Sequence, residues 1–228
     1  MSHAAASHAR DHRSLFAGAE KRLLVAIARR IPPAINSDHL SAVALAAIVV
    51  TGLCFAAMSV SPVAAWGIPV ALFVNWFGDS LDGTLARVRN HQRPRYGYYI
   101  DHVLDIAGTS ALMTGLACSS LIHPVLALAL LCAYLLLCAE SYLSTHAAGV
   151  FRLSYLGVGP TELRMVLAAG AIKAATSPVV NVPGFGPQRL FDVGALVALT
   201  GMAAAFLLAA IGTGRALYVA EPLPSQQS

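Results

Sequence analysis

The hydrophobic positions of this chain form long runs that are separated by short polar or basic segments. A helix needs about 20 mostly apolar residues to cross the hydrocarbon core of a bilayer. Six segments have roughly that length, so the pattern predicts an all-α integral membrane bundle of six transmembrane helices. The predicted spans are residues 39–60, 62–78, 96–118, 121–145, 161–177 and 189–213.

The segment before the first span predicts a helix that lies along the membrane surface. Leu15, Phe16 and Leu23 lie on one side of it, and four basic residues supply positive charge. An amphipathic helix of this kind binds the interface of anionic lipids, although a helix packed on the protein would have the same pattern. The predicted organisation is a disordered tail at 1–13, this interfacial helix at 14–31, a six-helix membrane domain at 35–215 and a flexible tail at 216–228.

Composition and charge support a membrane location and suggest an orientation. Of the 228 residues 57% are hydrophobic and 11% charged, and the mean hydropathy is +0.67, whereas a soluble domain has about 25% charged residues. The net charge of +4 comes from basic clusters such as the 88–95 turn. The positive-inside rule explains these clusters better than a nucleic-acid partner does. We expect a bacterial inner-membrane protein with both termini and the 88–95 turn in the cytoplasm.

The candidate chemistry lies between residues 79 and 105. This stretch contains two pairs of aspartates, Asp79 with Asp82 and Asp101 with Asp105, in a chain that is otherwise poor in charge. Residues three or four apart share one face of a helix. The sequence therefore predicts two helical faces, each with two carboxylates and a small residue, joined by a basic turn at the cytoplasmic surface.

Four ionised carboxylates that face one another would repel strongly in a site of low dielectric constant. Two divalent cations would cancel their charge, and all-oxygen ligands favour Mg²⁺ or Mn²⁺ over zinc or copper. Such a cluster indicates phosphoryl chemistry, for which Gly83, Ala86 and Gly97 leave room and Arg87 offers a phosphate-binding fork. A non-catalytic membrane cation-binding or transport protein would also contain intramembrane acids, but these other residues would have no role in it.

These residues resemble the signature of the CDP-alcohol phosphotransferase (CDP-alcohol phosphatidyltransferase) family, D-x-x-D-G-x-x-A-R, a spacer, then G-x-x-x-D-x-x-x-D. Every signature residue is present, namely Asp79, Asp82, Gly83, Ala86, Arg87, Gly97, Asp101 and Asp105. The spacer is one residue longer than is usual in the family, and Pro94 stands where the family commonly has Ser or Thr. Asp38-x-x-Ser41 is similar to the family's D-x-x-T nucleotide contact, but it would also suit a helix N-cap.

The resemblance implies a reaction of phospholipid biosynthesis. A phosphatidyl or phosphoalcohol group would pass from a CDP-linked donor to an acceptor hydroxyl with release of CMP, and at least one substrate would be a lipid. Two Mg²⁺ or Mn²⁺ ions would be bound by the four aspartates, with Asp105 also acting as general base, and the enzyme would be a homodimer. The residues that would bind CDP are Gly83, Ala86, Arg87, Gly97, Asp38 and Ser41.

The residues that would bind the acceptor substrate have a less specific pattern than the aspartate signature. Glu140, Arg152, Glu162 and Arg164 are candidates for an acceptor or phosphate pocket, although Glu162 could equally act as a favourable charge at its helix N-terminus. CDP-diacylglycerol is the favoured donor, and transfer from CDP-choline or CDP-ethanolamine to a diglyceride is the alternative. A third hypothesis, a hydrolase that uses water as the acceptor, is also compatible with the sequence. The scarcity of cationic ligands favours an uncharged or zwitterionic acceptor.

Overall fold

The structure, a computed structural model, describes residues 17–149 and 160–221. Within those ranges the chain forms seven α-helices, one short 3-10 helix and one antiparallel pair of strands. The helices are α1 (Ala17–Ala28), α2 (Ser37–Ala57), α3 (Gly67–Val88), α4 (Pro94–Ala117), α5 (Pro124–Ala148), α6 (Pro160–Thr176) and α7 (Leu190–Ala220). The 3-10 helix is Pro62–Trp66, and the strands are β1 (Val179–Val182) and β2 (Gly186–Arg189).

The predicted all-α class is confirmed, because 80% of the described residues are helical. Helices α2 to α7 correspond to the six predicted apolar segments, while the predicted loop at 178–188 contains the β1–β2 hairpin. Helix α7 continues to Ala220, so the first residues of the predicted tail at 216–228 are helical. The predicted tail at 1–13 lies outside the described residues.

Three of the described helices, α2, α5 and α7, are long and apolar enough to cross a membrane. Helices α3 and α4 carry the aspartates, and α6 has only 17 residues. The six-span count is therefore not confirmed and stays a prediction.

Local sequence signals explain where the helices begin. Asn36 caps α2 by accepting a hydrogen bond from the His39 backbone N–H at 3.0 Å, and the His39 ring closes the capping box. Pro94 and Pro124 stand in the first turns of α4 and α5, where a missing backbone N–H costs nothing. The spacer between Arg87 and Gly97, which is one residue longer than is usual in the family, therefore does not interrupt α4.

Side-chain contacts assign the helix ends to two opposite sides of the bundle. On one side Arg93, just before α4, contacts Asp38 at the start of α2. On the other side Asp192 at the start of α7 accepts a hydrogen bond from the His123 backbone N–H at 2.6 Å. The aspartate stretch belongs to the first side. The main core, around Phe55, Ile68 and other fully buried residues, lies toward the second side.

Helix α1 packs on the aspartate-bearing helix α3. Leu24 and Ala28 form a small buried cluster with Leu81 and Leu85. Leu23, on the face that the sequence predicts for lipid, is 59% exposed. One side of α1 therefore packs against α3. Its position in the membrane interface stays a prediction.

Arg89 ties the α1–α2 connection to the end of α3. Its guanidinium donates to the backbone carbonyls of Ile35, Ile31 and Pro32 at 2.6, 2.7 and 3.0 Å. Because hydrogen bonds from a charged group are stronger than neutral ones, we expect Arg89→Ala to cost about 1–2 kcal/mol. The measurement is thermal unfolding in detergent, with Arg95→Ala, an exposed arginine of the same turn, as control. Equal unfolding midpoints for the two variants would contradict the expectation.

Candidate active site

The four aspartates lie on α3 and α4, which both pack against α2. Asp79 and Asp82 are one turn apart on α3, and Asp101 and Asp105 are one turn apart on α4. The charges of Asp79 and Asp101 act on Asp82, and the charges of the other three act on Asp105. The fold therefore brings the two predicted carboxylate pairs into one electrostatic cluster.

Asp82 is held by groups from two helices. Ser41 on α2 donates a hydrogen bond to Asp82 Oδ2 at 2.6 Å, and the Gly83 backbone N–H donates to Asp82 Oδ1. The sequence assigns Ser41 and Gly83 to CDP binding, whereas here both contact the Asp82 carboxylate. Ser41 thereby fixes the position of α2 relative to the first carboxylate pair.

Asp79 is held by a cation from α6. Arg164 Nη2 lies 3.0 Å from Asp79 Oδ2, and Arg164 Nε donates to Asn75 Oδ1 at 2.8 Å. Asn75 in turn donates to the Ala44 backbone carbonyl at 2.9 Å. This chain of contacts joins α6 to α3 and α2, and the charge of Arg164 also acts on Asp105.

A cavity of about 400 Å³ lies between the start of α2, the end of α3 and the basic turn, one helical turn beyond Asp82 along α3. Asp38 and Ala86, two of the predicted CDP-binding residues, line it. Arg93 Nη2 contacts both Asp38 carboxylate oxygens, at 2.5 and 2.7 Å, and its guanidinium lies 4.0 Å from the centre of the Tyr96 ring. The hydrogen bond to Asp38 raises the pKa of Arg93, and the two side chains form an ion pair whose charges offset each other in this cavity wall.

The remaining signature residues surround the same region. Arg87 lies over Gly83, where an added Cβ would be 3.3 Å from Arg87 Nη1, and Arg87 also donates to Thr84 Oγ1 at 3.1 Å. Gly97 is exposed and has open space where a side chain would stand. Gly97 therefore leaves open space one turn before Asp101, whereas the Arg87 guanidinium fills the space at Gly83.

The side of Asp105 toward α5 carries hydroxyl and aromatic groups. The charge of Asp105 acts on the hydroxyls of Tyr134 and Tyr142, and both hydroxyls are within hydrogen-bonding reach of the Cys138 thiol. The His102 ring lies 5.1 Å from the Tyr142 ring in an edge-to-face arrangement. Residues 134 to 142 therefore provide a polar wall next to the proposed base.

The donor set fits hard divalent cations. It consists of carboxylate oxygens that repel one another, and Mg²⁺ and Mn²⁺ prefer such ligands. As the side chains lie, no three His, Cys, Asp or Glu residues of the described ranges are close enough to ligate one ion. Asp79 and Asp82 are instead bonded to Arg164, Ser41 and Gly83. Binding a cation would require these two carboxylates to exchange protein donors for the ion.

A comparison with models of protein families identifies the family to which this chain belongs. The family model for CDP-alcohol phosphatidyltransferase matches residues 36–213, which is most of the chain. The chain belongs to this family. Members of the family generally depend on divalent metal ions. Membership in this CDP-alcohol phosphatidyltransferase family, together with the three apolar helices, establishes an integral membrane protein.

The fold of this CDP-alcohol phosphatidyltransferase family member is similar to a solved structure. That structure is Mycobacterium tuberculosis phosphatidylinositol phosphate synthase with CDP-DAG bound. The TM-score is 0.58 at 20% sequence identity, and the similarity covers 86% of this chain and 94% of the other. No curated protein sequence matches this one.

The predicted acceptor residues of this family member have different locations. Arg164 lies at the aspartates, as described above. Glu140 is buried on α5, where Thr213 of α7 donates a hydrogen bond to it at 3.2 Å. Glu162 is exposed in the first turn of α6, and Arg152 lies outside the described residues.

Two features of the site escape the sequence analysis. Asn75 is buried and joins Arg164 to α2. In the sequence, this residue is recognisable only as a single amide side chain within an apolar segment. Tyr134 and Tyr142 border Asp105 from α5. Aromatic residues in an apolar segment have no periodicity that distinguishes a site from a lipid-facing surface.

Proposed function

We propose that this chain is a divalent-metal-dependent phosphotransferase that moves a phosphatidyl or phosphoalcohol group from a CDP-linked donor to an acceptor hydroxyl and releases CMP. The observation that supports it most is the pair of aspartates on each of α3 and α4, whose charges act on Asp82 and Asp105, with Arg87 against Gly83 on α3. A cation transporter would need the acids but not the phosphate-binding fork next to them.

The four aspartates, Asp79, Asp82, Asp101 and Asp105, would hold the cations. When bound, such cations neutralise phosphoryl oxygens and stabilise the charge on the departing phosphate. Ser41 and Gly83 orient Asp82 through its two oxygens. Arg87 would bind a phosphate of the donor, because its guanidinium lies over Gly83 on the same helix face.

The nucleotide would occupy the cavity of about 400 Å³ that Asp38 and Ala86 line. A nucleoside needs a volume of a few hundred cubic ångströms, typical of small-ligand pockets. The cavity joins the start of α2 to the end of α3, and Arg93 closes one side of it. The phosphates of a bound CDP group would extend from this cavity along α3 toward Asp82, one helical turn before Ala86.

Asp105 would act as the general base. It would accept the proton of the acceptor hydroxyl while that oxygen forms a bond to the donor phosphorus. The bond between this phosphorus and the CMP phosphate oxygen breaks, and CMP leaves with the electron pair. Asp105 is exposed on α4 and adjoins the hydroxyl-bearing wall of α5, so an acceptor has access to it.

The favoured donor is CDP-diacylglycerol, since the solved structure with a similar fold contains CDP-DAG. Transfer from CDP-choline or CDP-ethanolamine to a diglyceride is the alternative, and the acceptor alcohol stays open. The six-span arrangement, the homodimer and a bacterial inner membrane with cytoplasmic termini and active site belong to the same proposal. The exposed basic residues beside the carboxylates, Arg93 and Arg95 among them, support the cytoplasmic orientation.

The test is a CMP-release assay with the purified chain in mixed micelles. We expect CMP from CDP-diacylglycerol and an alcohol when Mg²⁺ or Mn²⁺ is present, and none after chelation. A panel of glycerol phosphate, serine, inositol phosphate and phospholipid acceptors identifies the second substrate. CMP release without any alcohol would indicate hydrolysis. Failure to release CMP from every CDP-linked donor would refute the proposal.

A further inference from the structure

Arg164 forms an ion pair with Asp79 through one of the two carboxylate oxygens. Its Nη2 lies 3.0 Å from Asp79 Oδ2, and the two side chains are 17% and 34% exposed. A partly buried pair of this kind neutralises the carboxylate in the way that a bound ion would. The second donor, Arg164 Nε to Asn75 Oδ1 at 2.8 Å, fixes the guanidinium from its other side.

Asn75 provides a rigid anchor for this arrangement. It is buried, and its amide nitrogen donates to the Ala44 backbone carbonyl of α2 at 2.9 Å. Both polar ends of the amide are therefore used, which fixes its orientation. Arg164 is held by a group that does not depend on Asp79, so its guanidinium stays near that carboxylate whether or not Asp79 binds a cation.

We infer that Arg164 is a built-in counterion that competes with the divalent cation for Asp79, and that Asn75 is the positioning residue that keeps it there. The inference rests on the proposed function, because it assumes that Asp79 is a cation ligand. In the cation-free chain Arg164 offsets the repulsion between Asp79 and its acidic neighbours. A cation that binds Asp79 would compete with the guanidinium for the carboxylate charge and would be repelled by it, so part of the binding free energy is lost.

The experiment measures cation affinity rather than activity. Mn²⁺ binding to the purified full-length chain is followed by electron paramagnetic resonance. We expect Arg164→Gln to bind Mn²⁺ about tenfold more tightly than the original chain, because a competing positive charge a few ångströms away is removed. The matched control is Lys173→Gln, which removes one exposed positive charge from the same helix; its affinity should not change.

Two further measurements separate competition from a loss of folding. Arg164→Gln should unfold at a lower temperature than the original chain in chelator, and Mn²⁺ should raise its unfolding temperature by more. Asn75→Ala should tighten Mn²⁺ binding by a smaller factor, about threefold, and should have no further effect in the Arg164→Gln chain, because coupled residues are not additive.

Equal or weaker Mn²⁺ binding by Arg164→Gln would overturn the counterion role of Arg164. Tightening of the same size in Lys173→Gln would also overturn it, since the effect would then come from net charge. If no chain, including the original one, binds Mn²⁺, the proposed cation site itself is wrong. These outcomes distinguish a failure of this inference from a failure of the proposed function.

Discussion

Asp105→Asn is expected to lower the rate of CMP release about 10³-fold or more, since a positioned general base contributes roughly 10²–10⁴-fold. The substitution keeps the size of the side chain but removes its ability to accept the acceptor proton. Asp105 stands one turn beyond Asp101 on α4, exposed and beside the hydroxyls of Tyr134 and Tyr142. That location suits contact with an incoming alcohol better than the locations of Asp79 and Asp82, which protein donors already hold.

The experiment separates proton transfer from cation binding. Asp79, Asp82 and Asp101 remain in the variant, and the Asn side chain keeps one ligand oxygen, so Mn²⁺ binding should weaken only modestly while turnover is lost. The matched control is Asp192→Asn at the opposite end of the bundle, where the side chain accepts a hydrogen bond from the His123 backbone. We expect that control to retain activity. A rate for Asp105→Asn within tenfold of the original would reject the assignment of Asp105 as base.

The sequence was sufficient to predict the helices and the carboxylate pairs. Long apolar runs and a spacing of three or four residues are local properties, and they determine which side chains share a helix face. The two aspartate pairs therefore emerged on their correct faces of α3 and α4. The apolar runs did not predict the hairpin at 179–189, because its four-residue strands lie within a stretch rich in Pro and Gly.

The partners of the carboxylates could not be predicted from the sequence. Arg164 and Asp79 are 85 positions apart, and Ser41 and Asp82 are 41 positions apart. Such contacts depend on how the helices pack, and helix packing leaves no periodic signal that identifies a specific pair. The sequence suggests an acceptor or phosphate pocket for Arg164 and a nucleotide contact for Ser41, and these roles stay predictions; the contacts of the two side chains with Asp79 and Asp82 became visible only in the fold.

The packing that brings these partners together depends on two glycines. Helices α2 and α4 cross so closely at Gly52 and Gly115 that a Cβ added to Gly115 would lie 2.1 Å from the Gly52 carbonyl oxygen. A Cβ added to Gly52 would lie 2.7 Å from the Ala111 carbonyl oxygen. Small residues allow such close backbone approach between membrane helices. Because both obstacles are backbone atoms, the helices themselves would have to move apart.

We expect Gly115→Ala to destabilise the chain by about 1–2 kcal/mol net, since overpacking typically costs about 1–3 kcal/mol and an overlap with backbone atoms lies at the upper end of that range. This cost opposes the gain of about 1 kcal/mol that alanine brings to a helix. The matched control is Gly201→Ala on α7, where an added Cβ meets no atom within 4 Å, so only the gain should appear. The measurement is thermal unfolding in detergent followed by circular dichroism.

The same variant tests the link between packing and the site. Helix α2 carries Ser41, and α4 carries Asp101 and Asp105, so separating the two helices at Gly115 shifts the second carboxylate pair relative to Asp82. We therefore expect the fraction of Gly115→Ala that stays folded to bind Mn²⁺ more weakly than the original chain, while Gly201→Ala binds it equally well. An unfolding midpoint for Gly115→Ala at or above that of Gly201→Ala would show that the crossing tolerates a methyl group and does not set the position of the site.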